Sequence, residues 1–288
     1  MLKTFLKTVN LCSFTLLLAL SVFAVKADEL KPEEIIAKHL DSIGSKEKRA
    51  AVKNRMAVAK SEFISKVPYG KLGGKALIVS DAGNLFFVSS FNSQNYPFEK
   101  IGLFDKKVTI PFIGSGKRSP LGSFLQENNK IISEKLLTGS ISNSWAFLDS
   151  GTLKAKIDAA GTKKIDGRET FVLNYIPKGV SSSDFSIKLY FDAQTFQHLR
   201  TEYQQQLHAR NYSIGVLGAN SESGTRNLLI EDFRDFKNVD GLTLPHSYKL
   251  YLLLDGQDTT YEFEWNLEIA QYLLNQKLES NFFSFNEK

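Results

Sequence analysis

The sequence predicts a mainly β protein of the α+β class, an antiparallel meander of about ten or eleven strands with few helices. Three observations predict it. Alternating apolar and polar runs recur along the chain. The clearest is "TYEFEWNLEI" at 260–269, with Tyr261, Phe263, Trp265, Leu267 and Ile269 on one side and Glu262, Glu264, Asn266 and Glu268 on the other. Period-two alternation marks a strand with one buried and one wet face. Asp-Gly pairs at 240–241 and 255–256 separate long runs of this kind, and that dipeptide favours tight hairpins. Phe occurs 22 times, which suits pleated surfaces that bury large areas. So many strands in one sheet tend to curl toward a barrel.

The elements follow in chain order. Residues 1–27 read as an export signal: Lys3 and Lys7 give a basic start, Leu11–Val25 an apolar run of 15 residues, and Val25-Lys26-Ala27 the small residues that precede cleavage. The run is short of the roughly 20 apolar residues that span a bilayer, and an uncleaved anchor is the alternative. Cys12, the only cysteine, lies inside this segment. The exported chain, expected in the periplasm, would then carry neither a disulfide nor a lipidated cysteine. Loss of three Lys and no acid lowers the formal charge from +5 to +2, and no clustered basic face points to nucleic acid. Residues 28–288 read as one large domain, with no Pro-rich or Gly/Ser-rich linker and no repeat.

"KPEEIIAKHLDSIG" opens this domain as an amphipathic helix. Pro32 suits the first turn, Glu33 and Glu34 complement the dipole, Gly44 stops the helix, and Ile35, Ile36, His39, Leu40 and Ile43 share a side. Strands are predicted at "MAVAKSEFIS", "KALIVS", "NLFFVSSF", "KIGLF" and "KKVTIPFI". Residues 119–149 lack alternation. There Leu121, Phe124 and Leu125, then Ile131, Ile132, Lys135, Leu136 and Leu137, recur at helical spacing, which predicts two or three short helices inserted in a β protein. Strands resume with "ETFVLNYIP", "FSIKLYFD" and "FQHLRTEYQQQ", and a polar stretch at about 209–226 reads as a loop. "RNLLIEDFRDF", "LTLPHSYKLYLLL" and "TTYEFEWNLEI" complete the sheet.

Motifs that carry chemistry are scarce. His39, His198, His208 and His246 show no metal-binding spacing, and "GSGKRS" at 114–119 lacks the earlier glycine and the Ser/Thr of a phosphate loop. There is no G-x-S-x-G elbow. Glu231, Asp232 and Asp235 read as a solvated strand edge. No cofactor, no metal and no enzymatic activity are expected, with a hydrolase kept as a minor alternative because triads assemble from distant residues.

The order of these elements, with "KKIDGRETFVLNYIPKG", "IKLYFDAQTFQHLRTEY" and "IEDFRDFKNVDGLTLPHSYKL", resembles the LolA-like superfamily of lipoprotein carriers, best over 163–270. The resemblance implies an incomplete β-barrel whose concave side is covered by helices over an apolar cavity that takes acyl chains of lipoproteins or other lipids. Its implied wall is Phe87, Phe104, Phe171, Leu173, Ile187, Leu189, Tyr261, Phe263 and Trp265. The implied lid is Ile36, Leu40, Phe124, Leu125, Leu136, Leu137 and Trp145. A transient membrane-protein donor and acceptor would be the partners of a monomeric carrier. Carriers of this kind tie down the lid with an arginine on an early strand, near the place of "GNLFFV", and neither Asn84 nor its neighbours supplies one. The missing lipidated cysteine separates the chain from the outer-membrane receptor branch. The readings of a different class are a regulatory or structural interaction module with a filled core, and a transmembrane barrel, against which the mid-chain helices and the polar tail argue.

Overall fold

The computed structural model describes residues 30–148, 155–179, 185–207, 225–255 and 259–286. The expected export signal with Cys12, His208, and most of the stretch at about 209–226 expected as a loop lie outside them.

Lys31 precedes helix α1 (Pro32–Ile43), and its backbone N–H donates to the Glu34 carboxylate at 2.8 Å, closing the first turn. Ile35, Ile36, His39 and Ile43 are its buried face. A second helix, α2 (Lys46–Ala51), capped by Ser45, occupies what reads in sequence as an undifferentiated charged stretch. Five strands follow: β1 (Asn54–Lys66), β2 (Tyr69–Asp81), β3 (Leu85–Phe91), β4 (Phe98–Phe104) and β5 (Lys107–Thr109). The chain then leaves the sheet for α3 (Pro120–Glu127), α4 (Lys130–Ser133) and a 3-10 turn at Gly139–Ile141. It returns as β6 (Lys156–Ile165), β7 (Arg168–Ile176), β8 (Phe185–Asp192), β9 (His198–Leu207), β10 (Thr225–Val239), β11 (Leu242–Asp255) and β12 (Thr260–Leu274).

All twelve strands form one antiparallel, curved and unclosed sheet in the order β5-β4-β3-β2-β1-β12-β11-β10-β9-β8-β7-β6. Two meanders are joined where the last strand, β12, pairs with the first, β1. The mainly β, incomplete-barrel expectation holds, with one strand more than predicted. That strand, β6, is an edge strand interrupted by Gly161, rich in lysine and mostly exposed, so it has no buried face to announce it. Asp240 (φ 51°) and Gly241 (φ 87°) make the hairpin between β10 and β11, two successive left-handed residues that favour Asp-Gly.

The two faces of the sheet divide the chemistry. One side is covered by α1 and the 119–148 segment and holds a continuous apolar core from Ala57 and Phe87 to Leu189 and Leu252. The other carries cross-strand ion pairs, among them Lys66–Glu262 at 2.7 Å, Lys249–Glu264 at 2.8 Å and Arg200–Asp232 at 2.8 Å. On β12 the phase changes at a bulge. Val58 pairs with Gln271 but Ala59 with Ile269, so Ala270 is extra and Tyr272 joins the buried set.

Candidate functional site

The segment expected as a lid begins at Ser119, whose hydroxyl caps α3 by accepting from the Gly122 N–H at 2.7 Å. Beyond it, Leu121, Leu125, Ile131, Ile132, Leu136, Leu137, Ile141, Trp145 and Phe147 all turn into the concave side and are at most 1% exposed. They meet Phe87, Phe171, Leu173, Ile187, Leu189, Phe263 and Trp265 of the sheet and Ile36 of α1 in one cluster, which also includes Phe124 of α3. Of the two arrangements expected for the concave side, an open apolar cavity or one filled by its cover, the structure has the filled one, occupied by side chains of the 119–148 segment. The physical reason is simple: an apolar concave wall with an apolar segment tethered beside it loses more water-exposed area closed than open.

Three of the expected residues stand apart. Phe104 is half-buried and alternates with the buried Ile101 and Leu103 of β4, which places it on the outer face rather than the wall. Tyr261, at the sheet rim, is 42% exposed, and Leu40 is only partly buried at the edge of the core.

Polar groups that the sequence did not single out fix the lid to the sheet. Arg55 of β1 is 2% exposed and donates through Nη1 to the carbonyls of Ser140, at 2.5 Å, and Ile141, at 3.2 Å. Strand β1 thus supplies a buried arginine to the 119–148 segment, whereas the neighbourhood of Asn84 supplies none. Burial lowers its pKa to about 10, still charged at neutral pH. Glu231 of β10 is 0% exposed and accepts from the Thr138 N–H at 2.7 Å, the Tyr203 hydroxyl at 2.6 Å and the Tyr248 hydroxyl at 2.5 Å. The reading of Glu231 as part of a solvated edge is corrected. It sits between Leu229 and Phe233 on the inward face, and that alternation was the signal; Asp232 faces outward to Arg200, and Asp235 is exposed with a left-handed backbone (φ 56°). Glu99 of β4 is the third tie: it accepts from Ser119 Oγ at 2.8 Å and from the Tyr96 hydroxyl at 2.7 Å, and Tyr96 accepts from Trp265 Nε1 at 2.7 Å. Burial pushes Glu99 and Glu231 each up to about 7, against the hydrogen bonds that favour the anion.

His39 and His198 come together beneath the lid with Trp145. The Trp145 ring stacks on His198 at 5.0 Å and meets His39 edge-on at 5.0 Å. His39 donates from Nδ1 to the Phe196 carbonyl at 2.7 Å. Burial lowers its pKa to about 4 and holds His198 well below its usual value, so both are neutral. Among the described residues no group of three His, Cys, Asp or Glu side chains could hold a metal.

Two clefts open beside the lid. The larger, of about 780 Å³, lies between α1–α2 and the lid, with Leu40, Val52, Trp145, Ala146 and Leu148 as its apolar wall and Arg55 lining it. The smaller, of about 470 Å³, brings Phe124 of the lid to Tyr261 and Phe263 of β12. Trp265 is covered by the Tyr96 bond and the Phe63 ring, 5.3 Å away. No helix among the described residues is long and apolar enough to cross a membrane.

No family model matches the chain, and no curated protein matches it. Solved structures do. A LolA superfamily protein from Nitrosomonas europaea is similar over 89% of this chain and 98% of its own, with 12% identity and a TM-score of 0.48. A candidate outer membrane lipoprotein-sorting protein domain from Vibrio parahaemolyticus is similar over 87% and 94%, with 13% identity and a TM-score of 0.44. A DUF1329 family protein from Desulfovibrio piger is similar over 88% and 96%, with 9% identity and a TM-score of 0.41.

Proposed function

We propose that this chain is an exported, non-enzymatic binding protein for acyl chains, of lipoproteins or other lipids, working in the periplasm between a membrane donor and acceptor. The observation that carries the reading is the lid: an apolar segment broken into helices of eight, four and three residues. It fills a concave apolar wall and is tied to the sheet by discrete polar contacts. The 780 Å³ cleft beside it lies within the roughly 300–1,000 Å³ of small-molecule sites, and Trp145 and Arg55 belong both to its wall and to the lid's seat. A chain entering there meets the groups whose displacement opens the lid.

Energetics favour such an exchange. Burying a 16-carbon chain is worth roughly 12 kcal/mol before ordering costs, at about 0.8 kcal/mol per methylene. A carrier that must also release needs a competing closed state, and the lid's own Leu125, Leu136 and Leu137 supply one. The test is uptake of a fluorescent fatty acid by the purified protein, together with its native mass from its own cells. Saturable uptake, or a co-purifying lipid or acylated peptide, is the expected result. A clean apo mass with no uptake would instead support the second reading, an interaction module whose core is permanently filled. The burial of the segment's inward side chains, Leu121 to Phe147, is the observation that favours it.

A further inference from the structure

The charge around the larger cleft is one-sided. Lys46, Arg49, Arg55, Lys130, Lys135 and Lys178 line it against a single carboxylate, Glu134. That carboxylate is already engaged, by Lys130 at 3.9 Å and by the Tyr175 hydroxyl at 2.8 Å. Arg49 is spent on the carbonyls of Leu40 and Gly44 and on the exposed Asp41 carboxylate at 3.7 Å, and Lys135 on the Ala82 carbonyl at 2.9 Å. Lys46 and Lys178 have no ion-pair partner among the described residues and stand exposed at the rim. Two residues of its wall each carry a buried donor with no partner among the described residues: Arg55 Nε and Trp145 Nε1, on side chains 2% and 1% exposed. Buried N–H groups are nearly always bonded, and two orphans lining one cationic cleft point to an acceptor that belongs there.

We propose that this cleft is a head-group subsite for an anionic amphiphile, a lipid bearing phosphate or carboxylate. The rim lysines and the Arg55 and Trp145 donors take the charged oxygens, while Leu40, Val52 and Leu148 meet the start of the chain. The proposal rests on the acyl-binding reading and narrows it to a ligand class. The cationic rim in a partly enclosed cleft concentrates anions, and its pull weakens with salt.

The experiment compares phosphatidic acid with diacylglycerol, both carrying the same fluorescent chains and both below their aggregation concentrations. Phosphatidic acid should bind roughly tenfold tighter at low salt, and the ratio should fall toward one in Lys46→Glu/Lys178→Glu and at high salt. Equal affinities, or a ratio indifferent to both the substitutions and salt, would overturn the subsite while leaving acyl binding intact. Binding of neither lipid would overturn the acyl reading as well. Inorganic phosphate forms the last arm: displacement of the lipid by millimolar phosphate would assign the site to a free anion and defeat the amphiphile assignment, whereas no displacement supports it.

Discussion

Gly139 illustrates how tightly single residues define the closed lid. Its φ is +46°, and a Cβ there would lie 2.7 Å from the Phe233 ring and 3.0 Å from His198 Nδ1. Both the backbone region and the space call for glycine. Gly139→Ala should cost roughly 1–3 kcal/mol of stability, read as a lowered urea midpoint. An unchanged midpoint would mean that the 3-10 turn is not seated on Phe233. Trp145 is the larger anchor, fully buried and packed on His39, His198 and Phe147. Trp145→Ala should cost roughly 3–5 kcal/mol if the lid is closed in solution. A loss below about 1 kcal/mol would indicate that the ring spends most of its time exposed.

At the scale of elements, the ties between lid and sheet make a sharper test. Arg55 reaches 85 and 86 residues along the chain to two lid carbonyls. Arg55→Met keeps much of the volume but leaves those carbonyls unpaired in a dry place, at roughly 1–3 kcal/mol. Hydrogen exchange should then quicken at the amides of 138–142 while the β1–β12 ladder keeps its protection. Equal loss in both would show that lid and sheet open together. Truncating the lid's own filling, in Leu136→Ala/Leu137→Ala, weakens the closed state against the ligand and should tighten fatty-acid binding at least tenfold on our reading. Weaker or unchanged binding would remove these residues from the competition.

The strands were legible because burial on one face imprints alternation, and the lid because helical spacing replaced it. Strand β6 and helix α2 were not, since neither has a fully apolar face. The seat of the lid was also hidden. Arg55, Glu99 and Glu231 reach partners in the 119–148 segment that lie 20 to 93 residues away, and only the Leu229-Glu231-Phe233 alternation hinted that one of them turns inward.

At the scale of the whole molecule, the buried titratable groups set opposing limits on stability. Glu99 and Glu231 have folded pKa values raised from 4.5 to about 7 by burial. Below 4.5 both states hold the proton; through the window from 4.5 to 7 the unfolded chain releases it first. Stability is therefore lost as pH rises, by on the order of 3 kcal/mol for each carboxylate. His39 runs the other way: its folded pKa falls from 6.5 to about 4, so the unfolded chain gains a proton first as pH drops below 6.5, and stability is lost toward acid. His198 acts in the same direction. The acid and alkaline limbs overlap between 4.5 and 6.5, where they cancel. The melting temperature should pass through a broad maximum near pH ~5.5 and fall on both sides. Other surface carboxylates add to the acid limb, so the difference between variants is the decisive measurement. Glu231→Gln should halve the fall above pH 6.5 and turn the level stretch between 4.5 and 6.5 into a rise with pH, whereas His39→Asn should turn that same stretch into a fall with pH. A melting temperature that still falls as steeply through neutrality in Glu231→Gln would show that this carboxylate is not buried in solution, and with it that the lid does not close over β10.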